Sequence, residues 1–428
     1  MKHSLLLFFF FSFFYAAGQN SFSPLDTLSH TCAAKLKVEY VKKFKNINNN
    51  REYETSAQKN VIKEIYGGLQ EDFIEKIDNN NFICDSELNN YLNDLMNEIL
   101  TSNSIDKDIY RILLSKDPDV NAYNTGDGTV VVNYGLFLAV DNEDELVFVI
   151  CHEVGHQFLD HLKKDVEAYA RLSTSEEMIK KTKEIKKQKY GKASMATNLL
   201  KNIRYQSYSE RREKEIEADS IGLVFYRQTK RSPAAAISLL QKLDVSDTEK
   251  DSLVMEDYKK IFEKGDFVVK QRYFEQEESL FQTYTKDERF NADSLKSHPD
   301  CSTRITLIKD YLDNKFLESS MGSSTGFEEI KRNSVYQNLF NMFSAQDYGI
   351  SLYEALKLYK YELEDPVLKN IIYLNLVKIY DSRKNYTINR YVPKHDNLRN
   401  TKSLNRFISF ISNIKKTDLE TIINNFKS

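Results

Sequence analysis

The sequence predicts an α+β fold that is mostly helical, with a small antiparallel sheet and a helical C-terminal region. Three observations predict it. Apolar residues recur at helical spacing, as at Leu88, Leu92, Leu95, Met96, Ile99 and Leu100. Two short strand-like runs, residues 109–114 and 129–132, lie on either side of the turn Thr125-Gly126-Asp127-Gly128. A small, polar, glycine-containing stretch at 321–326 reads as a linker before a second aromatic-rich region of helical period.

The chain has 428 residues, 41% hydrophobic and 29% charged, enough for a full core and an accessory region. A net charge of -3 gives no global field toward nucleic acid or anionic membrane, so partners must be argued from sites. Lys2 precedes a Phe-rich apolar run, and Ala16-Ala17-Gly18 then meets the polar Gln19-Asn20-Ser21. That pattern reads as a signal peptide over residues 1–18, cleaved after Gly18, because the run is too short to span a bilayer. No cysteine sits at the cleavage point to take a lipid, and no later segment is apolar enough to cross a membrane. An exported chain in the periplasm, the cell envelope or the extracellular space is expected. Of the four cysteines, Cys151 reads as a small core residue, and Cys32 with Cys84 is the favoured bridge.

In order along the chain, residues 19–84 read as an N-terminal helical segment broken by asparagine-rich turns at 46–50 and 79–81. The stripe from Leu88 to Leu100 opens a unit over 85–320. After the two strand runs, Asn142 can cap a helix whose Glu145 stands at the capping-box position. Residues 163–212 are helical and charged, with seven lysines between Lys180 and Lys192, and read as a solvated helix or a lid. A further short helix begins near Glu210 and carries Glu215, Glu217 and Asp219, with Pro233 after it. From 327 to 428 the helical period continues through Leu352, Leu356 and Tyr359, then Ile371, Leu374 and Leu376. One repeat-like hairpin fits, but no second copy recurs at a fixed period.

The chemistry is carried by His152-Glu153-Val154-Gly155-His156. Histidines four apart on a helix share one face and can reach one metal ion. Glu153 is turned about 100° from His152, beside the ion instead of on it, and is the candidate general base. Zinc suits imidazole and carboxylate donors, and a catalytic site keeps three protein ligands. Glu215 can supply the third, while Asp219, one turn further on, can orient a histidine. Gly155 and Gly222 would let the two helices approach closely. His161 lies five residues beyond His156 and on a straight helix points away from the metal face, so it reads as a helix-end or packing residue.

These motifs, with Asn121-Ala122-Tyr123, the run Val130-Val131-Val132, Gly135-Leu136, Asn142 to Leu146, Glu215 to Gly222, Ser297-His298-Pro299 and Arg304-Ile305, resemble the HtpX-like and CAAX prenyl protease-like zinc metallopeptidases of peptidase family M48 over roughly residues 85–312. The resemblance implies a gluzincin (zincin-like) fold with one zinc ion per chain held by His152, His156 and Glu215, and water activated by Glu153. It also implies that His298 returns to the cleft, to donate to an oxyanion or to close the open metal position. The other reading of His298 is a turn anchor before Pro299. Without membrane spans, the chain resembles the soluble, periplasmic branch, which speaks against prenyl-peptide processing.

Val130, Val131 and Val132 read either as a sheet edge on which extended substrate pairs or as an ordinary buried strand. The leading expectation is a metalloendopeptidase whose substrate is polypeptide, unfolded or misassembled envelope protein, with partners met through the C-terminal helices. Its rival is a chaperone-like client-binding protein with a gated or weakly active zinc site. A zinc hydrolase of non-peptide amides ranks third.

Overall fold

Side-chain alternation along three short strands decides how the sheet is covered. A computed structural model describes residues 22–25, 30–84, 86–187, 192–244, 251–275, 301–311, 322–397 and 400–427. The expected leader lies outside the described residues. Helices α1 (His30–Asn50), α2 (Ser56–Asp78) and α3 (Ser86–Ser102) precede strands β1 (Arg111–Ser115), β2 (Ala122–Asn124) and β3 (Thr129–Asn133). Leu113 and Val131 face Leu36, Tyr40, Phe73 and Ile77 of the first two helices. Ile112, Leu114, Val130 and Val132 face the Leu92, Leu95, Met96 and Ile99 stripe of α3 on the other side. Each of the three valines is fully buried, a gain of about 1.5–3 kcal/mol apiece.

The sheet order is β1-β3-β2. It is mixed, where the sequence reading expected antiparallel pairing. β2 and β3 form an antiparallel hairpin, but β1 pairs with β3 in parallel, Arg111 opposite Thr129 and Ser115 opposite Asn133. The two runs that read as neighbours do pair, and the unread strand β2 reverses the chain between them. Gly128 ends the hairpin turn at φ +87, where a Cβ would strike the Ile109 carbonyl. The outer edge of β1 is taken by the chain before α3, through Ile83 N–H to the Leu114 carbonyl at 2.8 Å. Cys32 and Cys84 are bridged, as the sequence favoured, with Cα atoms 6.2 Å apart, and Cys151 and Cys301 are buried thiols.

Helix α4 (Glu143–Phe158) runs through this core, and every residue from Glu143 to Gly155 is buried. Asn142 caps it, its Oδ1 accepting the Glu145 N–H at 3.0 Å. Buried carboxylates in its first turn demand partners. Arg231 donates to Glu143 at 3.0 Å, to Asp144 at 2.9 Å and to Glu98 at 2.8 and 2.9 Å. Lys242 donates to Glu145 at 2.6 and 2.8 Å.

Then come α5 (His161–Thr174), α6 (Glu176–Lys187), α7 (Lys192–Gln228), α8 (Ala234–Leu243) and α9 (Met255–Phe262). After α10 (Cys301–Tyr311), the region expected as a linker is a tight junction where it is described. Gly322 N–H donates to Asp144 at 3.1 Å, Ser324 bonds Glu143 and caps α11 (Thr325–Ser344), and Gly326 is already helical.

Helices α12 (Tyr348–Tyr359), α13 (Pro366–Lys384), α14 (Lys402–Asn413) and α15 (Lys416–Phe426) build a second core from Leu352, Leu356, Tyr359, Ile371, Leu376, Phe410 and Ile422. Residues before α10 join this second core: Leu253, Tyr258, Ile261, Phe262, Phe267 and Tyr273 all pack there. Cys301, Ile308, Phe327 and Ile330 return to the first.

Candidate metal centre

Small residues let α4 and α7 touch. A Cβ at Gly222 would lie 3.0 Å from His152 Cα, and one at Gly155 would lie 2.7 Å from Ile221 Cγ2 and 3.1 Å from the Ala218 carbonyl oxygen. Along α7, Glu215, Ala218, Asp219 and Gly222 fall on one helical face toward α4. The sequence reading began this helix near Glu210. The structure continues it back to Lys192, since no proline or glycine interrupts residues 192–210.

The contact brings together the two histidines and the glutamate. His152 Nε2 lies 3.0 Å from His156 Nε2, and Glu215 places Oε2 3.5 Å from the first and Oε1 3.5 Å from the second. Donors at about 2.0–2.2 Å from a tetrahedral ion stand about 3.3–3.6 Å apart, so the donor set suits zinc in both chemistry and spacing. Among the described residues these three form the group of His, Cys, Asp and Glu side chains close enough to share a metal ion.

Each histidine is held from behind. Asp219 Oδ1 lies 2.9 Å from His152 Nδ1, and Arg304 donates Nε and Nη2 to the same carboxylate at 2.5 and 2.6 Å. Burial would raise the Asp219 carboxyl, but Arg304 and His152 outweigh it and hold it below the usual range. Between these groups, burial opposes a proton on His152, yet its bonds to Asp219 and Glu215 prevail and lift it to about 10. Burial and the neighbouring positive His152 push His156 down to about 3. Two imidazoles thus hold one proton against two carboxylates, a balance of charge that a divalent ion can replace.

His161 is where the sequence reading fails. Helix α4 ends at Phe158, and Asp160 adopts a left-handed conformation at φ 54 and ψ 36 before α5 begins. The break swings His161 back, so that its Nδ1 lies 2.9 Å from His156 Nδ1 and its Nε2 lies 3.1 Å from Glu217 Oε2. The straight helix assumed from spacing does not exist there. An aspartate that tolerates the left-handed region was the available signal. Arg304 was visible as part of a motif but not as a partner of Asp219, because its 85-residue separation from that aspartate hides the contact.

Glu153 sits on α4 between the two histidines and is 8% exposed. His298 lies outside the described residues. Val130, Val131 and Val132 do not form an edge: β3 is the central strand, bonded on both sides. Among the described strands it is β2 that has one paired neighbour. Bonds from Asn133 N–H to the Asn121 carbonyl and from Thr125 N–H to the Thr129 carbonyl fix the alternation, so Tyr123 turns its backbone groups to β3 while Ala122 and Asn124 turn theirs away. The hairpin turn is fastened beside His156, with Gly128 N–H donating to Gln157 Oε1 at 2.9 Å.

The family model for peptidase family M48 matches residues 86–312, more than half of the chain. The chain is 29% identical over 164 residues to the beta-barrel assembly-enhancing protease of Escherichia coli (strain K12), a match covering 38% of this chain and 34% of that one. To the beta-barrel assembly-enhancing protease of Yersinia pestis it is 28% identical over 163 residues, 38% of this chain and 34% of that one. The matched stretch thus spans about a third of these curated relatives.

Proposed function

The chain belongs to peptidase family M48, and from that premise we propose that it is a zinc metalloendopeptidase acting on unfolded or misassembled envelope proteins. The observation that carries this reading is the convergence of His152 Nε2, His156 Nε2 and the Glu215 carboxylate within 3.0–3.5 Å, with Glu153 on the same helix as the histidines. His152, His156 and Glu215 are the residues that would hold one zinc ion. When bound, zinc supplies Lewis acidity for water and for the scissile carbonyl.

Glu153 takes the proton from the attacking water and returns it to the leaving amine. Asp219, backed by Arg304, keeps His152 in the tautomer whose Nε2 lone pair faces the centre. The free side of β2 offers the N–H and C=O of Ala122 and Asn124 to an extended peptide, which favours unfolded chains over folded ones and asks little of their sequence. No covalent intermediate is expected. An envelope client is supported by the two relatives, which are named for beta-barrel assembly. The signal-peptide pattern at the N-terminus supports export. No described helix is long and apolar enough to cross a membrane.

The test is cleavage of casein by the mature chain, with and without a chelator, beside Glu153→Gln. Chelator-sensitive cleavage that falls by about 10²–10⁴ in the variant is the expected result. Intact casein with zinc bound would turn the reading toward client binding without hydrolysis.

A further inference from the structure

His161 is 3% exposed and holds both ring nitrogens in hydrogen-bond contact, with His156 on one side and Glu217 on the other. We propose that His161 and Glu217 are positioning residues that set the tautomer of His156 and thereby the zinc affinity of the centre. This rests on the zinc reading above.

The direction of the relay follows from what each group can do. A carboxylate only accepts, so the 3.1 Å contact to Glu217 places the hydrogen on His161 Nε2. A neutral imidazole then has a bare Nδ1, which can only accept, so the 2.9 Å contact requires His156 to donate from its Nδ1. His156 is left with a lone pair on Nε2, the atom that stands 3.0 Å from His152 Nε2 and 3.5 Å from Glu215. One carboxylate at the far end therefore decides which nitrogen of His156 can bind a metal ion.

The two histidine supports differ in kind. His152 leans on a buried carboxylate neutralised by a buried arginine, whereas His156 leans on a neutral ring that ends at Glu217, whose side chain is 60% exposed. The second arrangement brings no second carboxylate into the interior, which limits the desolvation cost. It also makes one side of the centre depend on a surface residue remote from any ligand atom.

The experiment is zinc competition against a chromophoric chelator, with thermal melting in excess chelator as a folding control. His161→Leu is expected to lose about 10–100-fold in zinc affinity. His161→Asn should recover most of it, since Asn Oδ1 can accept where Nδ1 did. Glu217→Gln, still able to accept, should bind within about threefold of the parent chain. Glu217→Lys presents a donor, reverses the relay and should lose affinity like His161→Leu, with melting unchanged because the site is exposed. Parental affinity in both His161→Leu and Glu217→Lys overturns the relay alone. A parent chain that binds no zinc overturns the metal reading as well.

Discussion

Arg304 closes both Nε and Nη2 on the Asp219 carboxylate at 2.5 and 2.6 Å, so the group that orients His152 is itself pinned from α10. Arg304→Met should destabilise the chain by about 3–5 kcal/mol, because a buried carboxylate loses its charge partner. Arg304→Lys should not restore the parent, since an ammonium cannot make the two-pronged contact. Urea unfolding in chelator measures the first effect, and zinc competition should show a parallel loss of about 10–100-fold.

Acid should weaken the fold through the first turn of α4. Asp141 and Glu143 feel burial, which raises them, but Lys242 with Lys331 and Ser324 with Tyr91 and Arg231 outweigh it, so both sit below their ordinary values of 3.8 and 4.5. They bind protons less readily folded than unfolded, so their stabilisation is complete above those ordinary values and drains as pH falls through the lower folded ones. The urea midpoint should be flat from about pH 7 to 5 and drop below about pH 4. Arg231→Met should lower the plateau and shrink the drop.

Gly222→Ala places a methyl 3.0–3.2 Å from backbone atoms of Cys151 and His152, which cannot step aside without moving α4. A loss of about 1–3 kcal/mol is expected, together with weaker zinc binding, because the same shift parts Glu215 from the histidines. Melting and zinc stoichiometry on one preparation check it.

The Cys32–Cys84 bridge closes a 52-residue separation, worth about 4 kcal/mol by chain entropy. The double serine variant should melt at a clearly lower temperature, and reductant should lower the parent to match it.

If substrate pairs with β2, N-methylation of a peptide backbone should cut cleavage at alternate residues only, since Ala122 and Asn124 face outward and Tyr123 does not. Uniform tolerance of N-methyl groups in a peptide series would remove this docking mode.

What the sequence disclosed follows the range of its signals. Periodicity found α3, the cap at Asn142 found the start of α4, and four-residue spacing found the pair His152 and His156, since all three are local. The disulfide followed from elimination. Pairing between strands is not local: β2 is three residues long, too short to register as alternation, and without it the parallel arrangement of β1 and β3 could not be seen. His161 was misplaced because one left-handed residue, Asp160, changes the direction of everything after it. Arg304 and Asp219 meet only once α7 and α10 are packed.

The path of the chain between Leu253 and Tyr273 has a cost for anyone wishing to shorten the protein. These residues belong by sequence to the part that carries the metal ligands, yet Leu253, Tyr258, Ile261, Phe262 and Tyr273, each 1% exposed or less, are covered by helices that come a hundred residues later. The chain dips into its neighbour's interior and then goes back to finish its own. No single scissor cut therefore frees a peptidase from its tail. Stopping at residue 320 would leave a strip of aromatic rings facing water, and the product should clump instead of working as a smaller enzyme.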